Sequence, residues 1–215
     1  MADTIRHHLT DDLLMAYSTG ELPEAFSLVV ATHVSLCDEC RARLGSFEAV
    51  GGEVLEAMQG ATVTESSFEA TLARITGQPV GDQRPFRAKG IFPSPLQDYV
   101  GGDLSAVKWK SVGMGVNQAS LPVASGATVR LLHIPAGGAM PDHGHKGREM
   151  TLVLQGAFSD ADGRYARGDV EIADDEVQHT PVAEAGQDCI CLAATEAPLR
   201  FRSLLPRLVQ PFFKI

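Results

Sequence analysis

Residues 137–156 read GGAMPDHGHKGREMTLVLQG. Along an extended chain His143 and His145 point to the same side, because the side-chain period of a strand is two. Glu149 follows a tight turn at residues 146–148 and returns to face them. A fourth ligand should come from a neighbouring strand, and His179, one of seven histidines in the chain, is the candidate. Three imidazoles and a carboxylate suit Zn(II), Fe(II), Mn(II), Ni(II) or Cu(II), so ligand type does not choose the ion. Alternation of apolar and polar residues surrounds this stretch, at 107–109, 128–134, 149–154 and 189–193. Turn signals fall at 135–138, at Asp162-Gly163 and at 167–169. Short strands this closely spaced predict a sandwich or barrel rather than alternating strand and helix.

The pattern Gly137-x5-His143-x-His145-x3-Glu149-x6-Gly156 resembles the first motif of the cupin family. The second motif is matched loosely, by Gly163, Gly168-Asp169 and His179-Thr180-Pro181. The usual Pro-x-Gly is Asp174-Asp175-Glu176 here, and the trailing Asn is absent. The resemblance covers roughly residues 105–200. It implies an all-β cupin (double-stranded β-helix, or jelly-roll) whose divalent metal sits on His143, His145, Glu149 and His179: zinc first, or Fe, Mn, Ni or Cu. Cupins include dioxygenases, isomerases, binding proteins and sensors, so the fold leaves the function open. No acid or base beside the metal is evident, although Tyr165 or Glu171 could face inward. His133 reads as a strand histidine with a backbone partner. Cys189 and Cys191 share one strand face, where a disulfide would be strained. They read as packing residues, with oxidant-sensitive thiols near the metal as the redox alternative. Met114, Met140 and Met150 read as packing, with Met140 close enough to His143 to line the cavity.

The first part of the chain has another texture. Residues 1–85 hold thirteen acidic and five basic residues, a net of −8, out of −9 for the whole chain. Thr10, Asp11 and Asp12 start a short helix carrying Leu13, Leu14 and Tyr17 that Gly20 stops. Pro23 opens a second helix with Phe26, Val29, Val30 and Val34. A third runs from Asp38 to Leu55 through a weakening Gly51-Gly52 pair. Ser66 and Glu69 suggest a capping box for a fourth, around Leu72 and Ile75. Residues 77–95, rich in Pro and Gly, read as a linker. Within this part His33, Cys37 and Cys40 form H-x3-C-x2-C. Tetrahedral zinc needs a fourth ligand. His7 and His8 both lie just ahead of the first helix, and spacing alone does not choose between them. A C-x2-C pair can also be a redox dithiol.

His8, the run from Asp12 to Tyr17, Gly20 and His33-x3-Cys37-x2-Cys40 resemble the zinc-binding anti-sigma fold over residues 5–80. That resemblance implies zinc on His8, His33, Cys37 and Cys40. It also implies a cytoplasmic four-helix domain that blocks an extracytoplasmic function sigma factor in a 1:1 complex. The whole chain then resembles the anti-sigma factors in which this domain precedes a single cupin, a group tied to singlet oxygen and organic peroxides. The expected organisation is a small all-α zinc domain at 1–85, a linker at 86–104, an all-β cupin at 105–200 and a tail at 201–215 packing on or extending it. Leu13, Leu14 and Tyr17, with Phe68, Leu72 and Ile75, are the candidates for partner binding, or else the domain's own core. The acidic balance argues against direct nucleic-acid binding, no apolar run is long enough for a membrane span, and no export signal opens the chain. The alternative is a metal-dependent cupin enzyme of dioxygenase type, but no catalytic residue is assigned.

Overall fold

The computed structural model describes residues 4–77, 90–124, 126–198 and, for backbone alone, 200–201. The helical part opens with α1 (Asp11–Ser18), α2 (Glu24–Val34) and α3 (Asp38–Ala57). The Thr10 hydroxyl caps α1 by accepting from the Leu13 N–H at 3.4 Å. Gly20 turns the chain away with φ +74°, a conformation that costs glycine nothing. Cys37 caps α3 through its sulfur, which accepts the Cys40 N–H at 3.4 Å. The Gly51-Gly52 pair does not interrupt α3. Helix α4 (Ser67–Thr76) forms as expected but buries no residue, and Ser66 makes no side-chain cap. The expected capping box is absent because Ser66 has a helical backbone, φ −80° and ψ −2°, rather than the extended one of a capping residue.

Among the described residues the remaining elements are α5 (Ser94–Val100), a 3-10 turn (Leu104–Ala106) and twelve strands. A six-stranded antiparallel sheet runs in the order β1 (Lys110–Gly113), β2 (Val116–Ser120), β3 (Thr128–Ile134), β11 (Cys189–Thr195), β5 (Glu149–Gln155), β8 (Val170–Ala173). Opposite it lie two small sheets. One joins β10 (Val182–Ala183), β6 (Ala157–Ser159) and β7 (Arg164–Ala166). The other joins β12 (Arg200–Phe201), β4 (His143–Gly144) and β9 (Gln178–His179). Inward residues of the large sheet, including Ile134, Val153, Cys189 and Cys191, pack with Phe158, Tyr165 and Ala183 of the facing sheet. This is the two-layer β architecture expected for residues 105–200.

The outer face of the large sheet is apolar as well. Leu131, Leu152, Leu154, Leu192 and Ala194 alternate with the inward set and join one core with Leu13, Leu14, Phe26, Val29 and Val30 of the helices. Helix α2 lies on this face, against β3, β5 and β11. That explains why α2 is apolar all round: one side meets α1 and α3, the other the sheet. The expected linker therefore needs correcting. Residues 78–89 lie outside the described residues, but from Gly90 onward the chain is packed. Phe92 (2% exposed) and Leu96 (0%) belong to the shared core, and α5 rests on α2, where the Tyr99 hydroxyl donates to Glu24 at 2.7 Å. Of the expected tail only Phe201 is described, pairing with His143 in the β12–β4 ladder; residues 202–215 lie outside the described residues.

Leu192 tests the shared core. It is fully buried between sheet and helices, and Leu192→Ala should cost about 2–5 kcal/mol through lost burial and a residual cavity. Denaturant unfolding should show this as a lower midpoint at unchanged slope.

Candidate metal centres

At the junction of α1, α2 and α3 four side chains converge. His8, His33, Cys37 and Cys40 place one ligand atom each within 4.8 Å of one another. The Nδ1 of His8 stands 3.3 Å from Cys37 Sγ and 3.6 Å from Cys40 Sγ. The Nε2 of His8 is 3.4 Å from the Glu39 carboxylate. His33 uses the opposite nitrogen. Its Nδ1–H donates to the Gly168 carbonyl at 2.8 Å, while its buried Nε2 has no hydrogen-bond partner among the described residues. Both imidazoles thus have an acceptor on the nitrogen facing away and a lone pair aimed inward, the arrangement metal-ligating histidines show. Burial holds His33 neutral, with its pKa pushed down to about 4 against the raising effect of the Gly168 carbonyl. Burial, helped by the neighbouring Cys37, pushes the Cys40 thiol up to about 11. Such a thiol stays protonated unless a cation takes the proton's place. Two sulfurs and two imidazoles at this separation suit a tetrahedral ion. His7, the rejected alternative, turns away: its ring lies 4.4 Å from that of Tyr165.

The second centre lies inside the β sandwich. Strands β4 and β9 set His143 directly opposite His179. The Nε2 of His179 is 3.2 Å from Nε2 of both His143 and His145. His143 has its Nδ1–H on the Pro141 carbonyl at 2.8 Å. His179 has its Nδ1–H on Asp160 at 2.8 Å and Glu171 at 3.0 Å. Neither of those nitrogens is free to take part, so lone pairs meet at the centre and a cation must sit among them, whether a proton or a metal ion. Burial opposes charge on His179, yet Glu171 and Asp160 outweigh it and raise the imidazole to about 9. Burial raises Glu171 in turn to about 7 despite that contact.

Glu149 stands apart from the three histidines. Its carboxylate is 3.6 Å from His145 Nδ1, the nitrogen facing away from the centre, and accepts from the Thr151 hydroxyl at 3.3 Å. The convergent set is His143, His145 and His179. Glu149 stays ionised: burial opposes the charge, but His145, His143 and Arg130 outweigh it.

The cavity at this centre holds about 50 Å³ and is lined by Met140, His143, Glu149, Phe158, His179 and Cys191 among others. Pockets for organic ligands run to about 300–1,000 Å³; this one has room for water, dioxygen or a small peroxide. Cys189 and Cys191 hold their sulfurs 3.5 Å apart, both fully buried and unbonded. The hydrogen bond shared with Cys189, then burial, raises the Cys191 thiol well above its ordinary value. That makes Cys191 a poor nucleophile, and both side chains pack in the inner core of the sandwich.

Other expectations change. His133 pairs with the Asp188 carboxylate at 2.9 Å rather than with backbone. Leu13 (2% exposed) and Leu14 (0%) are spent on the core and Tyr17 is half-buried against it. By contrast Phe68 (71%), Leu72 and Ile75 are exposed, as are Val50, Val54, Leu55 and Met58 near the end of α3. Asp160 was not legible from sequence. In the run Asp160-Ala161-Asp162-Gly163 it reads as a turn residue, and it is one, accepting the Asp162 and Gly163 N–H groups while its other oxygen reaches His179.

Comparison with known proteins agrees with both halves. Residues 97–198 match the family described as the ChrR cupin-like domain. The anti-sigma-E factor ChrR of Cereibacter sphaeroides is 58% identical over 215 residues, 99% of this chain and all of that protein. The crystal structure of Rhodobacter sphaeroides SigE in complex with the anti-sigma ChrR matches with a TM-score of 0.79 at 55% identity, covering 89% of this chain and 99% of that one. An RmlC-like cupin protein from Ralstonia eutropha matches with a TM-score of 0.41 at 23% identity, over 48% of this chain and 71% of its own. No helix among the described residues is long and apolar enough to cross a membrane. With a relative this similar from end to end, the chain belongs to the ChrR family of anti-sigma factors.

Proposed function

We propose that this chain is a cytoplasmic zinc anti-sigma factor that holds an extracytoplasmic function sigma factor in a 1:1 complex. The helical part sequesters the partner and makes no direct contact with nucleic acid. Zinc occupies His8, His33, Cys37 and Cys40. The cupin, with a divalent metal on His143, His145 and His179 and with Glu149 turning in from behind His145 as a fourth ligand when the ion binds, answers singlet oxygen or a peroxide-type oxidant and lets the sigma factor go. The observation that carries the reading is the closed four-ligand cluster in a chain 58% identical to ChrR, a protein whose relative is solved in complex with SigE. A net of −8 on residues 1–85 supports it, since a partner that meets DNA presents basic surface. The small cavity favours a sensor of small oxidants over a dioxygenase acting on an organic substrate.

Co-expression with a sigma factor of this class tests the proposal. The expected result is a 1:1 complex by mass, carrying one zinc held by thiolates. Metal in both centres with no partner captured would overturn it and point to a cupin enzyme. Substitution of His143 or His179 by Ala should leave the inhibition of transcription in vitro unchanged and impair its relief by oxidant. Loss of sigma-factor capture in those variants would sink the division of labour between the two parts.

A further inference from the structure

The helical centre is not built by the helical part alone. The β7–β8 turn of the cupin, at Gly168 and Asp169, reaches across to one of its four ligands, His33, and to the segment that leads into another, His8. The Gly168 carbonyl takes the Nδ1–H of His33 at 2.8 Å. The Asp169 carboxylate is 2% exposed and accepts the Arg6 N–H at 2.6 Å and the His7 N–H at 2.9 Å. The His7 carbonyl accepts the Val170 N–H at 3.2 Å. Residues 6 and 7 are thus stitched to the cupin immediately before His8. The other oxygen of Asp169 accepts the Ala166 N–H at 2.8 Å, which fixes the turn itself. Gly168 has φ +93°, and a β-carbon there would come within 2.6 Å of Ile5, so the turn is shaped for the close approach of the N-terminal segment.

The same strap continues into the other centre. Strand β8 begins at Val170, and the next residue, Glu171, holds the Nδ1–H of His179 at 3.0 Å. Four consecutive residues therefore contact a ligand, or the segment carrying one, at both centres. We propose that residues 168–171 are a shared outer support of the two metal centres, so that filling or emptying the cupin centre changes the affinity of the thiolate centre, and the reverse. The warrant is two sets of short hydrogen bonds on one strand rather than mere proximity. Such supporting groups typically contribute about 10–100-fold to metal affinity, and any coupling acts equally in both directions. The inference rests on the ligand sets proposed above and deepens them: it gives the cupin a physical route to the domain that holds the partner.

Cobalt(II) is the probe, because thiolate coordination gives it a charge-transfer absorption that the cupin centre, with no thiolate among its proposed ligands, lacks. Full-length protein stripped of metal is titrated with cobalt against a competing chelator, and circular dichroism checks that each variant is folded. Asp169→Asn should weaken cobalt at the thiolate centre by about 10–100-fold. His143→Gln, which disables the cupin centre without touching β8, should also shift thiolate-centre affinity. An unchanged affinity in Asp169→Asn overturns the support. A loss in Asp169→Asn with none in His143→Gln overturns the coupling and leaves the turn as scaffolding. Should Asp169→Asn fail to fold, Gly168→Ala displaces Ile5 from the same segment without altering a polar group and must give the same loss. No sigma factor enters the assay, so its outcome is separable from failure to capture the partner.

Discussion

Cys40→Ser should empty the thiolate centre and abolish capture of the sigma factor, the largest single-residue effect expected in the molecule. Structural zinc sites of this type contribute an apparent ~10–16 kcal/mol of binding that doubles as folding free energy. In this protein that energy ties together residues far apart in sequence: His8 before α1, His33 near the end of α2, and Cys37 and Cys40 at the start of α3. Little else fixes α3, of which only Cys40 and Leu44 are buried. Cys40 is the better choice over Cys37, whose sulfur also caps the helix. A serine hydroxyl is a poor zinc ligand beside a thiolate, so affinity falls while side-chain volume barely changes. Metal content by mass spectrometry, helicity by circular dichroism and co-purification with the sigma factor measure the three consequences. Undiminished capture of the partner by a zinc-free Cys40→Ser protein would show that the metal centre is not what shapes the binding domain. The cupin should keep its strand signal in the same sample, because its own core around Val153, Phe158 and Cys191 is closed without the helices.

Local chemistry was legible from sequence, and assembly across the chain was not. His33, Cys37 and Cys40 lie within one turn and a helix start, so their convergence follows from helical geometry. His143 and His145 share a strand face for the same kind of reason. His8 was different: spacing left His7 equal to it, and what separates them is Asp169, 162 residues from His7, which pins the His7 N–H and fixes which ring faces the sulfurs. Glu149 was read as returning to face the histidines, and it does return, but it stops at the outer nitrogen of His145. Residues 77–95 read as linker because Gly and Pro dominate their composition, and the linker of the expected organisation, 86–104, also takes in α5. Two large apolar side chains, Phe92 and Leu96, were enough to anchor them. The one-core arrangement was also hidden, since it depends on the outer face of β11 and β5. A strand buried on both faces shows a continuous apolar run, whereas residues 189–193 read as alternating.

The exposed face of α4 carries the other large effect. Phe68, Leu72 and Ile75 fall at i, i+4 and i+7, one side of the helix, and none is buried. Exposed side chains of this kind, with Val50, Val54 and Leu55 exposed on α3 as well, are more than a soluble surface needs. The partner that fits it under the anti-sigma reading is the sigma factor, and the acidic charge of residues 1–85 would steer the encounter. Burying Phe68 and Ile75 against a partner would contribute about 1.5–3 kcal/mol each. The double variant Phe68→Glu with Ile75→Glu should therefore weaken the complex by about 100- to 10,000-fold. Two carboxylates driven into a desolvated contact place the effect toward the upper end. The free protein should hardly notice. Surface substitutions away from packed groups change stability by about 0.5 kcal/mol or less, and zinc content should be unchanged because no ligand lies on α4. Calorimetric titration of the sigma factor into the variant separates the outcomes. Affinity retained within a few-fold would remove α4 from the interface and return the docking site to the remaining surface of α3. Affinity lost with zinc and melting temperature intact would place the partner on the face that the fold leaves bare.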